Sequence, residues 1–126
     1  WDYYCSFVEH INSLKKDLRQ LLTDLKRERK TIVAYGASAK GSTLLNYFSI
    51  GLEYLDYVVD RSTVKQGLYT PGTHLPILDP SFLLKDQPDY TLLLTWNFAD
   101  EILKQQEIYR QKGGLFILPI PKVQIV

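Results

Sequence analysis

Apolar residues recur along the first part of the chain at Phe7, Ile11, Leu14, Leu18, Leu21 and Leu25, in alternating steps of four and three. That spacing returns to one side of an α-helix on every turn, and Val8 and Leu22 widen the stripe. The other side carries charge: Lys15, Lys16, Asp17, Arg19, Asp24 and then Lys26 to Lys30. A coiled-coil or nucleic-acid-binding arm fits such a pattern, and so does a helix laid on a sheet with its outer face in water. The stripe lasts under three heptads, shorter than a coiled coil sustains. Residues 1–29 are therefore expected to form an N-terminal helix packed on the rest of the domain.

The period then changes. Thr31-Ile32-Val33-Ala34-Tyr35 is a short β-branched run closed by Gly36, which reads as a buried parallel strand. Leu44, Leu45 and Phe48 share a helix face, and Gly51 stands where a C-terminal cap belongs. A second strand is expected over Tyr54 to Asp60, which makes Ile32 to Asp60 one βαβ unit of roughly 30 residues. Arg61 to Leu75 has no helical periodicity and contains Gly67, Pro71 and Gly72. Loops of ~12–15 residues are uncommon in compact domains unless they have a function. Asp79-Pro80 then opens a short helix that Asp86-Gln87-Pro88 ends.

Asp89 to Thr95 predicts the third strand. Asn97 is placed to cap the next helix, which has Asp100 and Glu101 in its first turn and stops at Gly113-Gly114. Leu115 to Leu118 predicts the fourth strand. Alternating strands and helices call for a Rossmann-like, doubly wound α/β fold, with a mainly parallel sheet of about four strands and helices on both faces. The second strand is expected on one side of the first, the third and fourth on the other. A ligand crevice then lies at the carboxyl ends of the first and third strands.

Composition narrows the functional classes. Across 126 residues, 45% are hydrophobic and 23% charged, the balance of a globular domain. The formal net charge of +1 supplies no field suited to nucleic acid or an anionic membrane. The lone Cys5 has no disulfide partner and no ligand-spaced His beside it. No apolar run approaches the ~20 residues that span a bilayer, and no signal peptide is visible, so a cytoplasmic setting is expected. The helical pattern runs from Tyr3 or Tyr4 with no initiator Met, which suggests a domain excised from something larger.

Candidate chemistry gathers at the predicted strand ends. Gly36-Ala37-Ser38-Ala39-Lys40-Gly41 departs from the G-x-G-x-x-G dinucleotide fingerprint by placing Ser38 at the middle glycine. The N–H groups of Ser38 to Lys40 still open a helix and favour an anion, and Lys40 adds charge. A bare strand-to-helix turn without a ligand reads the same way. Asp60, 24 residues beyond Gly36, stands near the position of a ribose-binding acid, or pairs on the surface with Arg61. Lys65, Gly67, Gly72 and His74 of the long loop, with Trp96 and Asn97 after the third strand, are expected at the same end of the sheet. Trp96 is suited to stack on a base or sugar, or simply to cover the sheet edge. His74 is the only imidazole expected near the crevice, and no Ser/His/Asp set or carboxylate pair accompanies it. These residues support binding more than catalysis.

Taken together, Tyr35 to Gly41, Thr43-Leu44-Leu45-Asn46-Tyr47, Val59-Asp60-Arg61, Lys65-Gln66-Gly67, Pro71 to Ile77, Trp96-Asn97 and Ala99-Asp100-Glu101-Ile102 resemble the C-terminal domain of SAM-dependent sugar C-methyltransferases. The resemblance covers nearly the whole chain, as a single C-terminal domain over 1–126. It implies a parent enzyme with a zinc-binding N-terminal domain and a SAM-binding methyltransferase domain upstream. It implies methyl transfer to a carbon of a deoxysugar on a nucleoside diphosphate. It also implies that this domain holds the nucleotide-sugar, binds no cofactor itself and is inactive alone. Lys40 and the helix start would face the diphosphate, Asp60 the nucleoside sugar, and Trp96-Asn97 the base or hexose. An NAD(P)- or CoA-binding domain and a docking module against the methyltransferase domain are the competing readings.

Overall fold

The computed structural model describes residues 2–120 and 122–126. Trp1, Pro121 and the side chains of Asp2, Tyr3, Tyr4, Cys5 and Phe7, including Phe7's expected place in the apolar stripe, lie outside the described residues. The first helix, α1, runs Asp2–Arg27 and is followed by β1 (Ile32–Tyr35), α2 (Ala39–Tyr47), β2 (Val58–Val59), β3 (Ile77–Leu78) and α3 (Phe82–Asp86). Then come β4 (Tyr90–Leu93), a 3₁₀ turn (Trp96–Phe98), α4 (Ala99–Gln105), α5 (Glu107–Gln111), β5 (Leu115–Leu118) and β6 (Gln124–Ile125).

The six strands form one sheet in the order β3-β2-β1-β4-β5-β6, parallel except for β6. The order reverses between β1 and β4, which is where the α/β rule puts a ligand crevice. The sequence reading thus has the four central strands in their right places. It lacks the two edge strands, and its second strand is too long, since only Val58–Val59 is regular. β3 and β6 are two residues each, too short to show any alternation.

All four residues of β1 are buried, because helices cover both faces of the sheet. On one face Leu14, Leu18, Leu22 and Leu25 of α1 and Leu44 and Leu45 of α2 meet Ile32, Ala34, Leu92 and Ile117. The N-terminal helix is thus a packed helix, with Leu22 rather than Leu21 fully buried. On the other face Val33, Tyr35, Leu93 and Phe116 pack with Leu83, Ile102 and Tyr109.

Both long helices end in a left-handed residue that is not glycine. After α1 this is Arg29 (φ 63°), with Lys30 N–H donating to Leu25 C=O at 3.0 Å. After α2 it is Ser49 (φ 56°), with Ile50 N–H donating to Leu45 C=O at 2.9 Å, so Gly51 is not the cap. The guanidinium of Arg19 on α1 compensates by donating to Phe48 C=O (3.0 Å) and Ser49 C=O and lying over the Tyr54 ring. Asp79 caps the turn into α3 through Ser81 N–H (2.8 Å), and that bond holds its carboxyl below the usual carboxylate range. Stabilisation from this cap is therefore present above the unfolded carboxylate pKa and is lost as pH falls through the lowered one.

Tyr109 is fully buried; its hydroxyl donates to Pro88 C=O (2.8 Å) and accepts from Thr91 Oγ1 (3.0 Å), and burial pushes the phenol up to about 12. Tyr109→Phe leaves both partners unsatisfied in the core. It should lower the urea midpoint by the equivalent of ~1–3 kcal/mol without changing the denaturant slope.

Candidate functional site

The turn Gly36-Ala37-Ser38 stands at the carboxyl end of β1 and is held from three directions. Gly36 adopts φ 102°, and a Cβ there would lie 2.6 Å from Thr95 Cγ2. Asp60, one residue beyond β2, accepts Ala37 N–H on Oδ2 (2.7 Å) and Ser62 N–H on Oδ1 (2.7 Å). Lys65 donates to Ala37 C=O at 3.1 Å. The expected ribose acid is therefore engaged with the protein's own backbone, and a surface pair with Arg61 is not how it is held. Asp60 and Lys65 grip the two sides of one residue and set the turn before any ligand arrives.

Ser38 explains the departure from the dinucleotide fingerprint. It is the N-cap of α2, extended at φ −80°, ψ 162°, and its Oγ accepts Gly41 N–H at 3.1 Å. A side chain at the middle glycine position is thus spent on the helix itself. Gly41 permits α2 to approach β4, since a Cβ there would meet Leu94 Cβ at 3.0 Å. The N–H groups of Ser38, Ala39 and Lys40 make no hydrogen bond among the described residues and stay available to an anion. No acidic side chain occupies the first turn of α2.

The end of β4 divides the crevice by period-2 alternation. Thr95 faces the α4 side, and Trp96 faces the α1–α2 side. On the Trp96 side a cavity of about 440 Å³ is walled by Ile11 of α1, Tyr47 and Phe48, Ile120 and Lys40, whose ammonium sits 5.9 Å from the Trp96 ring centre. On the Thr95 side a cavity of about 290 Å³ lies among Tyr35, Gly36, Arg61, Phe98, Glu101 and Gln105. Burial pushes the Tyr35 phenol up, partly opposed by the Arg61 guanidinium.

Of the residues expected at this end of the sheet, Gly36, Ser38, Lys40, Gly41, Asp60, Arg61, Lys65 and Trp96 come together here. Asn97 follows Trp96, but it lies exposed inside the 3₁₀ turn and does not cap α4. Three loop residues are elsewhere. Gly67 donates to Ile77 C=O outside β3, at the edge of the sheet. Gly72 lies against the Asn46 side chain near the C-terminus of α2, with Thr73 beside Gly51, and His74 follows at φ 55°, exposed. The reason is topological. β3 runs parallel to β2, so the chain must return to the opposite end of the sheet before entering it. Without a crossover helix it returns as an extended arm bridged to the approach to β3, with Thr70 N–H on Leu75 C=O and Ile77 N–H on Leu68 C=O. His74 is thereby removed from the crevice.

Tyr35, Thr95, Phe98, Glu101 and Gln105 line the crevice beyond the residues that the sequence predicts for it. The last three share one helical face by their spacing of three and four, which is the signal that points them toward the strand end.

Residues 1–121 match the model of the C-methyltransferase C-terminal domain. The chain belongs to that family. C-methyltransferase NovU of Streptomyces niveus is 34% identical over 123 residues, which are 98% of this chain and 29% of that protein. The chain thus spans under a third of that relative's length. Among solved structures, UDP-D-quinovosamine 4-dehydrogenase from Vibrio fischeri superposes with a TM-score of 0.50 at 18% identity, over 77% of this chain and 93% of that one. At that identity the likeness concerns the Rossmann-like fold alone. Among the described residues no helix of this C-methyltransferase C-terminal domain is long and apolar enough to cross a membrane.

Proposed function

We propose that this domain binds the nucleotide-sugar substrate of a SAM-dependent C-methyltransferase acting on NDP-deoxysugars, and does not catalyse alone. The observation that carries the reading is the prebuilt turn. Asp60 and Lys65 hold Ala37, Ser38 caps α2, and the N–H groups of residues 38–40 together with Lys40 are left for a diphosphate between two cavities. SAM supplies the methyl group, and both SAM and zinc are assigned to upstream parts of the parent enzyme. The described residues gather no group of three or more His, Cys, Asp or Glu side chains suited to a metal. The hexose lies on the Trp96 side, where Trp96 offers a stacking face and Ile11 of α1 borders the cavity. The same apolar walls provide a contact for the upstream methyltransferase domain. An NAD(P) or CoA site is less well supported, because Ser38 and Asp60 are both engaged in holding the turn.

Isothermal titration with dTDP and dTDP-sugars tests the reading. The chain should release or absorb heat saturably, and Lys40→Ala should weaken binding about tenfold, equivalent to ~1.4 kcal/mol. Heats equal to dilution at millimolar ligand would sink the proposal. Thermal protection by NAD, NADP or CoA but not by dTDP would transfer the site to the dinucleotide reading.

A further inference from the structure

Two buried hydroxyls at the α4 side of the crevice have no partner among the described residues: Tyr35 Oη and Thr95 Oγ1. Gln106 approaches the Tyr35 hydroxyl without bonding it. Tyr35 as a whole is only 4% exposed. Other buried hydroxyls in this half of the molecule are satisfied. Tyr57 donates to Asp86 at 2.9 Å, and Tyr109 and Thr91 bond each other. A buried hydroxyl without a partner is costly, so two of them around one small cavity call for an explanation.

Their placement supplies one. Tyr35 ends β1 and pairs in register with Leu93; Thr95 follows two residues later and so faces the same side. Both residues line the 290 Å³ cavity, together with apolar Phe98 and Ile102 and with Asp60, Arg61, Glu101 and Gln105. That volume is at the lower end of small-ligand sites, which run from ~300 Å³ upward. It suits one ring system with its attached sugar. Gly36 borders the cavity and has no side chain to separate it from the helix start that carries Lys40.

We infer that this cavity receives the nucleobase of the bound nucleotide, its polar edge hydrogen-bonded by the Tyr35 and Thr95 hydroxyls and its ring held against Phe98 and Ile102. The inference rests on the nucleotide-sugar reading and divides the ligand across the turn. The diphosphate lies on residues 38–40, the base on the α4 side and the hexose on the Trp96 side. A hydroxyl donates or accepts as required, so the pair matches the alternating carbonyl and N–H groups along a pyrimidine edge. Tyr35 remains a neutral donor at neutral pH, because burial raises its phenol from an already alkaline value.

The test is calorimetric titration of the chain, Tyr35→Phe and Thr95→Val with dTDP, UDP and inorganic pyrophosphate, beside their melting temperatures. Each variant should bind the nucleoside diphosphates about 5–20-fold more weakly and pyrophosphate unchanged. Each should melt at or above the parent temperature, since only an unpartnered hydroxyl is removed. Unchanged dTDP and UDP affinity in both variants would overturn the base placement while leaving the nucleotide-sugar reading intact, as would equal weakening of pyrophosphate. Absence of nucleotide binding by the parent chain would overturn both.

Discussion

Gly36→Ala is expected to destabilise the chain by ~3 kcal/mol or more and to abolish nucleotide binding in the molecules that still fold. Two effects add at this position. The backbone sits at φ 102°, where an L-residue is strained, and the new methyl would lie 2.6 Å from Thr95 Cγ2 and 3.1 Å from Thr95 Oγ1. Thr95 follows β4 and faces the cavity, so relief of the clash moves the strand end, the hydroxyl or the turn. Gly36 N–H also donates to Val59 C=O at 2.8 Å, and Ala37 is fixed by Asp60, so the turn has little freedom to yield. Gly67→Ala is the comparison. Its φ is 87°, but nothing lies within 4 Å of the added carbon, so it meets strain alone. It should cost ~1 kcal/mol and leave ligand affinity unchanged. Adding Thr95→Ser to Gly36→Ala removes Cγ2 but keeps Oγ1, and should return most of the steric part of the loss but not the conformational part. Denaturation midpoints of the four proteins decide the matter, and equal losses for Gly36→Ala and Gly67→Ala would contradict it.

The central architecture is legible because burial writes itself into short runs. Ile32 to Tyr35 and Leu92 to Leu94 are apolar because both faces of the sheet are covered, and the glycine turn between β1 and α2 has a local steric cause at each glycine. What escapes the sequence is set by partners distant in the chain. β3 and β6 are strands only because neighbours bond them. The caps after α1 and α2 fall on Arg29 and Ser49, where glycine is the rule, and at Ser49 Arg19, thirty residues away, supplies the compensation. The candidate site divides the same way. Ser38, Lys40, Asp60 and Lys65 are recognisable from their distance to the turn, although Asp60 serves the turn's own backbone. Gly72 and His74 are misplaced because composition cannot say at which end of a sheet a long loop spends its glycines; the parallel pairing of β2 and β3 decides that. Thr95 and Tyr35 emerge only when alternation is counted along a strand whose end is known.

A second glycine separates folding from binding. Gly114 is buried beside Tyr109, and a Cβ there would fall 2.2 Å from Cζ of that ring and 2.4 and 2.5 Å from its two Cε atoms. The ring cannot withdraw. It is fully buried, packed edge-on to Phe116 at 5.6 Å between centres, and tethered through its hydroxyl to Pro88 and Thr91. Gly114→Ala should therefore cost ~3 kcal/mol or more, comparable to the worst overpacking in cores. Tyr109→Leu alone should also be destabilising, by ~3 kcal/mol, through lost volume and hydrogen bonds. Combined, the two should be far from additive, since leucine removes the atoms with which the new methyl collides. The double variant is expected to be about as stable as Tyr109→Leu alone, and losses that simply add would show that the ring is not the obstacle. Tyr109 touches neither cavity, whereas Gly36 forms the wall of one. At temperatures where Gly114→Ala is still folded, its affinity for dTDP should equal that of the parent chain, while Gly36→Ala under the same conditions should bind none. That contrast would assign the glycine turn to ligand binding and the Gly114–Tyr109 contact to the core that carries it.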